Sequence, residues 1–153
     1  MTKRLAQRFN GRFASQPEAL MGDRQRYADA KAFQPVVKAY GGTPTSVHRF
    51  LNIRTGAHFY TMSEEEKTSV QRNLPQFRYE GQAFFALNSS DVPLSPVYRF
   101  YSIYTGTHFY TIDPEERDYV RTYYWMYFNY EGVSWYATSF AGPGWTPMHR
   151  FFN

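Results

Sequence analysis

The chain has 153 residues, enough for one domain with a single core, and no cysteine, which excludes a disulfide framework, a zinc–thiolate site and a thiol nucleophile. Aromatic residues make up 20% of it, with Tyr and Phe at 14 each and Trp at 3, yet the mean hydropathy is −0.61; hydroxyl-tipped rings in so polar a chain point to thin, heavily surfaced β-structure. The net charge of +4 sits in residues 1–32, which hold seven basic and three acidic residues, whereas the remaining ten of each sign cancel.

Residues 1–40 read as a basic N-terminal arm, helical over 16–32 or extended. The opening MTKRLAQRFNGRF lacks the apolar stretch of a secretory signal peptide. No run of about 20 apolar residues suited to a membrane helix follows, so a soluble chain with no membrane insertion is expected. The charge of residues 1–32 suits an acidic protein partner or a larger assembly. Residues 36–40, followed by Gly41, Gly42, Thr43 and Pro44, have the look of a final strand and linker, a candidate closing strand.

Beyond the arm, an internal repeat dominates. Residues 47–61 read VHRFLNIRTGAHFYT and residues 97–111 read VYRFYSIYTGTHFYT; extended to residues 70 and 120, the match has 13 identities in 24 positions. One inserted residue later, FRYEGQAFFA at 77–86 meets FNYEGVSWYA at 128–137, and MHRFFN at 148–153 restates the opening. The organisation is therefore repeat 1 at 45–88, repeat 2 at 95–139, and the first strand of an incomplete repeat 3 at 146–153.

Within each unit a short aromatic strand meets a Thr-Gly turn at Thr55-Gly56 or Thr105-Gly106, and His-Phe-Tyr-Thr forms the returning strand of a hairpin. Ser63 with Glu66, and Asp113 with Pro114 and Glu116, read as capping boxes that open helices running to about Asn73 and Tyr124. Val70 and Leu74, or Val120 and Tyr124, are expected to face inward. Phe-x-Tyr-Glu-Gly and its trailing aromatics form a third strand, with Gly81 and Gly132 permitting a bulge. The expected class is α+β, with β-rich tandem β-β-α-β repeats in pseudo-symmetric arrangement, threefold and trefoil-like if residues 36–40 complete the unit begun at residue 146. Closure of that kind hides edge strands.

The combination of V-Y-R-F-Y, T-G-x-H-F-Y-T, a helix with paired acids and Y-E-G resembles a tandem-repeat family of unknown function, the domain of unknown function 5648 type, found in secreted bacterial and fungal proteins. In that family the repeats stand alone or beside hydrolases acting on proteins or polysaccharides. The resemblance implies an accessory, surface-binding role, glycan-directed and extracellular or particle-associated.

His58 and Tyr60, and His108 and Tyr110, share one strand face while Phe59 and Phe109 take the other. They form either a repeated sugar-binding pocket or a buried framework around the Thr-Gly turn. Tyr101, Tyr104, Trp135 and the loop residue Trp145 complete the candidate ligand-binding set. The second unit, with Tyr104 for Arg54 and Tyr101 for Leu51, is the favoured site. Arg49, Arg99 and Arg150 recur with Glu80 and Glu131 and read as structural ion pairs, Arg150 needing a partner from outside its own fragment. Glu65, Glu66, Glu115 and Glu116 are accounted for as first-turn helix acids. His48, His58, His108 and His149 carry no metal-ligand spacing, so no metal or other cofactor is expected. Serine nucleophile arrangements, phosphate loops and paired catalytic carboxylates are missing, so an enzyme is not expected. The expected function is a lectin-like, carbohydrate-binding module for surface glycan or cell-wall polysaccharide. Its alternative is a structural or adaptor component of a virion or surface particle, anchored by the arm. Single-stranded nucleic acid is disfavoured by the neutral repeats.

Overall fold

The structure is a computed structural model and describes residues 43–88, 94–139 and 146–150. The arm at 1–40, its candidate strand 36–40, Trp145 and residues 151–153 lie outside the described residues.

Each half of the described chain runs through the same order of elements. In the first they are β1 (Pro44–Asn52), β2 (His58–Thr61), α1 (Glu64–Asn73) and β3 (Phe77–Leu87). In the second they are β4 (Ser95–Ser102), β5 (Thr107–Thr111), α2 (Pro114–Tyr123) and β6 (Phe128–Ala137). The hairpin turns depend on Gly56 and Gly106, at φ 73° and 66°, a region where a side chain is strained. Asn52 and Ser102, buried at the strand ends, accept from the N–H of Arg54 and of Thr105 and close those turns.

The Thr that ends each returning strand starts the helix. Thr61 Oγ1 accepts from Ser63 N–H and Thr111 Oγ1 from Asp113 N–H, each at 3.0 Å. Ser63 Oγ then accepts from Glu66 N–H and Asp113 Oδ1 from Glu115 N–H, satisfying orphan helix donors. Only half of the capping box forms, because the Ser63 N–H is already donated to Thr61 Oγ1 and the Glu66 carboxylate is engaged by Arg99. Val70 and Val120 are buried, but Leu74 is exposed: its N–H closes the last turn of α1 on Val70 O, and the chain then leaves at Pro75.

The strands form a curled six-stranded antiparallel sheet in the order β2-β1-β3-β6-β4-β5, with the two helices making the class α+β. The halves meet at a single register pair between β3 and β6, Leu87 with Tyr136. One core is shared: Val47, Tyr60, Phe84 and Ala86 pack with Val97 and Trp135, and Phe84 meets Trp135 edge-on at 5.5 Å. Each half also has its own core beside its helix, Phe50, Phe59 and Val70 in the first, Tyr98, Phe100 and Val120 in the second.

The Tyr-Glu-Gly sequence has a geometric purpose. On β3 the register jumps from His48–Gln82 to Phe50–Tyr79, and on β6 from Arg99–Gly132 to Phe100–Tyr130. The extra residue in each jump is a bulge at the glutamate and its glycine, with Gly81 at φ 91° and Gly132 at φ 94°. A bulge re-aims a side chain, and here it turns Glu80 toward Arg49 and Glu131 toward Arg99. No heavy atom outside the immediate chain neighbours lies within 4 Å of a Cβ built at Gly132. Gly132→Ala is therefore expected to cost about 1–2 kcal/mol through backbone conformation alone. Urea denaturation measures this, and an unchanged midpoint would mean the bulge relaxes freely.

Candidate functional site

The bulged glutamates organise two matching clusters. In the first half Glu80 Oε2 lies 2.9 Å from Arg49 Nε and 3.2 Å from His58 Nε2. In the second, Glu131 Oε2 lies 2.7 Å from Arg99 Nε and 3.3 Å from His108 Nε2. The Arg99 Nε–H is not aligned on that oxygen, so this contact is coulombic attraction more than a hydrogen bond. His108 is enclosed by the rings of Phe59 at 4.6 Å and Tyr101 at 5.2 Å.

Tyr110 spans the two halves. Its hydroxyl donates to Tyr60 O and accepts from Tyr60 N–H, both at 2.9 Å, which caps part of the free edge of β2. Its ring stacks on Trp135 at 5.3 Å, and burial pushes the phenol well above the ordinary tyrosine range. Burial likewise raises Tyr60, whose ring belongs to the shared core.

The halves are locked together by contacts for which a first-turn role in the helices gives no account. Arg99 makes a bidentate pair with Glu66, at 2.8 and 2.9 Å, and its guanidinium lies 5.3 Å from the Phe59 ring centre. Arg150 does the same one unit later. It reaches Glu116 at 2.8 and 3.2 Å, donates to Tyr110 O, and sits 4.4 Å from the Phe109 ring centre. Glu116 is 1% exposed, which a solvated helix acid would not be. The helix-dipole account is thus corrected for Glu66 and Glu116: each is the acceptor for an arginine distant in the chain, Arg99 and Arg150 respectively. Their recurrence at matching offsets from that arginine, 33 and 34 residues, was the available sequence signal.

His48 forms a cluster present in the first half only. Nδ1 meets the Tyr79 hydroxyl at 2.9 Å, Nε2 meets Glu64 at 2.6 Å, and Lys67 holds the other Glu64 oxygen at 2.8 Å. In the second half Tyr98 and Arg117 take the places of His48 and Lys67, and the Arg117 guanidinium bonds the Tyr98 hydroxyl at 2.7 Å.

Of the residues singled out for ligand binding, Tyr60 and Trp135 lie in the core. His58, His108 and Tyr110 are taken up by internal bonds. Tyr101 is half-buried against His108. Tyr104 is 74% exposed, and with it stand Tyr123, Trp125, Met126 and Tyr127, surface aromatics and a methionine that were not singled out. Among the described residues no group of three or more His, Asp or Glu is arranged to hold a metal ion, and no helix is long and apolar enough to cross a membrane.

The clusters set a pH response. Burial foremost, then Arg49, holds the His58 imidazole below its ordinary 6.5, so its contribution is intact above that pH and is lost on acidification. Burial pushes Glu80 and Glu131 up. For Glu80 the Arg49 charge and bonds from Arg78 and His58 outweigh it; for Glu131 the His108 bond and the Arg99 charge do. Both carboxyls lie below their ordinary 4.5, so they too stabilise above that value and lose the contribution as pH falls. The urea midpoint is expected to be level above about pH 7, to fall by about pH 5.5 and to fall further near pH 3.5. A midpoint unchanged between the first two would remove His58 from this account.

A curled aromatic sheet whose halves are joined by a part-buried arginine–carboxylate pair, Arg99 with Glu66, defines an α+β domain with its polar repeat residues turned inward. Residues 46–153 match the family model described as Domain of unknown function (DUF5648), and the chain belongs to that family. No curated protein and no solved structure matches it.

Proposed function

We propose that the protein is a non-catalytic binding module for surface glycan or cell-wall polysaccharide, acting outside the cell or on a particle surface. One observation supports this most. The repeated polar side chains, His58, His108, Arg99 and Tyr110, are consumed in internal bonds, while the second half carries aromatic rings on its surface that the first half lacks. Side chains engaged in this way make poor catalysts and a good scaffold. Rings with a polar tip suit sugars, which offer an apolar face and hydroxyl groups together.

A threefold pseudo-symmetric body is part of this reading. Arg150 on Glu116 restates Arg99 on Glu66, as a third unit packed by the same rule would. The segregated charge of residues 1–32 supports a second reading, an adaptor that joins a particle through its arm while the repeats face outward. Affinity electrophoresis of the whole chain through gels containing soluble polysaccharides tests the first reading. Retardation by at least one of them is expected, and mobility unchanged in all of them would overturn it.

A further inference from the structure

We infer that the binding surface is a row of five tyrosines on the second half, Tyr104, Tyr127, Tyr124, Tyr119 and Tyr123, shaped for a single uncharged polysaccharide chain and not for a crystalline face. The inference rests on the glycan reading above and assigns it a place and a ligand form. The rings touch in sequence, with centroids 5.2, 6.2, 5.8 and 4.9 Å apart, from the β4–β5 turn across the segment after α2 to the helix itself. Tyr104 and Tyr123 at its ends are 74% and 68% exposed.

The first half serves as an internal control for what the fold requires. It has the same element order, yet at the matching positions it carries Arg54, Gln76, Leu74, Ser69 and Asn73. Tyr124 packs against the core of the second half and Tyr119 is half-buried beside it, but Tyr104, Tyr127 and Tyr123 are exposed, and core packing does not explain them. Exposed apolar rings grouped in one place mark an interaction site.

Charge and tilt define the occupant. The charges on α2 balance, Arg117 being paired with Asp118 at 2.7 Å, Glu116 with Arg150 at 2.8 Å, and Glu115 and Arg121 being of opposite sign, so the helix together with Arg150 carries no net charge for an ionic ligand. The exposed rings of Tyr104, Tyr127 and Tyr123 each set a phenol tip beside an apolar ring body, which matches a neutral chain of sugars, while the Tyr119 and Tyr124 hydroxyls bond to each other between them. Neighbouring rings are tilted by 34°, 53°, 44° and 47°, so they cannot lie together on a flat crystal surface, whereas the exposed ones can meet successive sugars of a chain that turns.

The test uses the whole chain, affinity gels with laminarin, soluble xylan and hydroxyethylcellulose, and a pull-down on microcrystalline cellulose and on chitin. The variants Tyr104→Arg and Tyr123→Asn install residues the first half already carries at these positions. Retardation by a soluble polysaccharide is expected, with affinity falling about tenfold for each ring removed and thermal unfolding unchanged. Ile53→Ser, on the first half, is expected to bind as the parent does. Binding that survives the double variant would overturn the row while leaving the glycan reading in place. A parent chain that binds no polysaccharide would overturn both, and capture on the crystalline solids would overturn the single-chain form.

Discussion

Replacing Arg99 with methionine is expected to lower the stability of the domain by about 3 kcal/mol, the low end of what breaking a buried ion pair costs. The low end applies because Glu66 and Glu131, the two carboxylates left behind, are 33% and 29% exposed and regain some water. The cation itself is 13% exposed and answers both acids while covering Phe59, so one substitution removes an ionic tie between the halves. Urea denaturation reads the loss. A cycle with Glu66→Gln assigns the part owed to that pair, because the double variant no longer leaves Glu66 as a part-buried charge without Arg99. Arg78→Met is the comparison: this side chain is 64% exposed at 3.3 Å from Glu80 and is expected to cost under about 0.5 kcal/mol. Equal losses in the two arginine variants would contradict the inter-unit lock.

Phe100→Ala is expected to cost about 3–5 kcal/mol, by lost transfer free energy and by the cavity left behind. Phe100 is 0% exposed and touches Phe109 at 5.5 Å and Tyr130 at 5.0 Å, in the cluster that also seats Val120 of α2. Such a loss is a large share of the stability of an ordinary domain, so α2 is expected to exchange its amide hydrogens faster than α1 in this variant. Trp125→Ala removes a larger ring that is 67% exposed and is expected to stay within about 0.5 kcal/mol of the parent. Should Trp125→Ala prove the costlier of the two, the assignment of core and surface in the second half would be wrong.

Much of the local structure was legible because its causes lie within a few residues of one another. Thr-Gly turns, the Ser63 and Asp113 caps and the bulge at Tyr-Glu-Gly are set by backbone conformation and neighbouring donors, and the repeat reported each of them twice. The pairing of Arg49 with Glu80 and Arg99 with Glu131 followed from the same recurrence. The candidate site was legible only in part. Alternation placed His58, Tyr60, His108 and Tyr110 on one strand face but could not say whether that face met solvent or the other half of the sheet. Tyr104 was found because it replaced an arginine, whereas Tyr119, Tyr123 and Tyr127 were lost among the other aromatic residues.

The sequence by itself determined the hairpin turns, the helix starts and the bends at Tyr-Glu-Gly, since these depend on contacts short along the chain. Tertiary structure alone decided which side chains bind to which across units. The curl of the sheet brings Glu66 to Arg99, Glu116 to Arg150 and the Tyr110 hydroxyl to the edge of β2, over separations of 33, 34 and 50 residues. That curl also turns the repeated histidines inward and leaves the row from Tyr104 to Tyr123 on the surface, because an inward face must satisfy its polar groups internally while an outward ring need not.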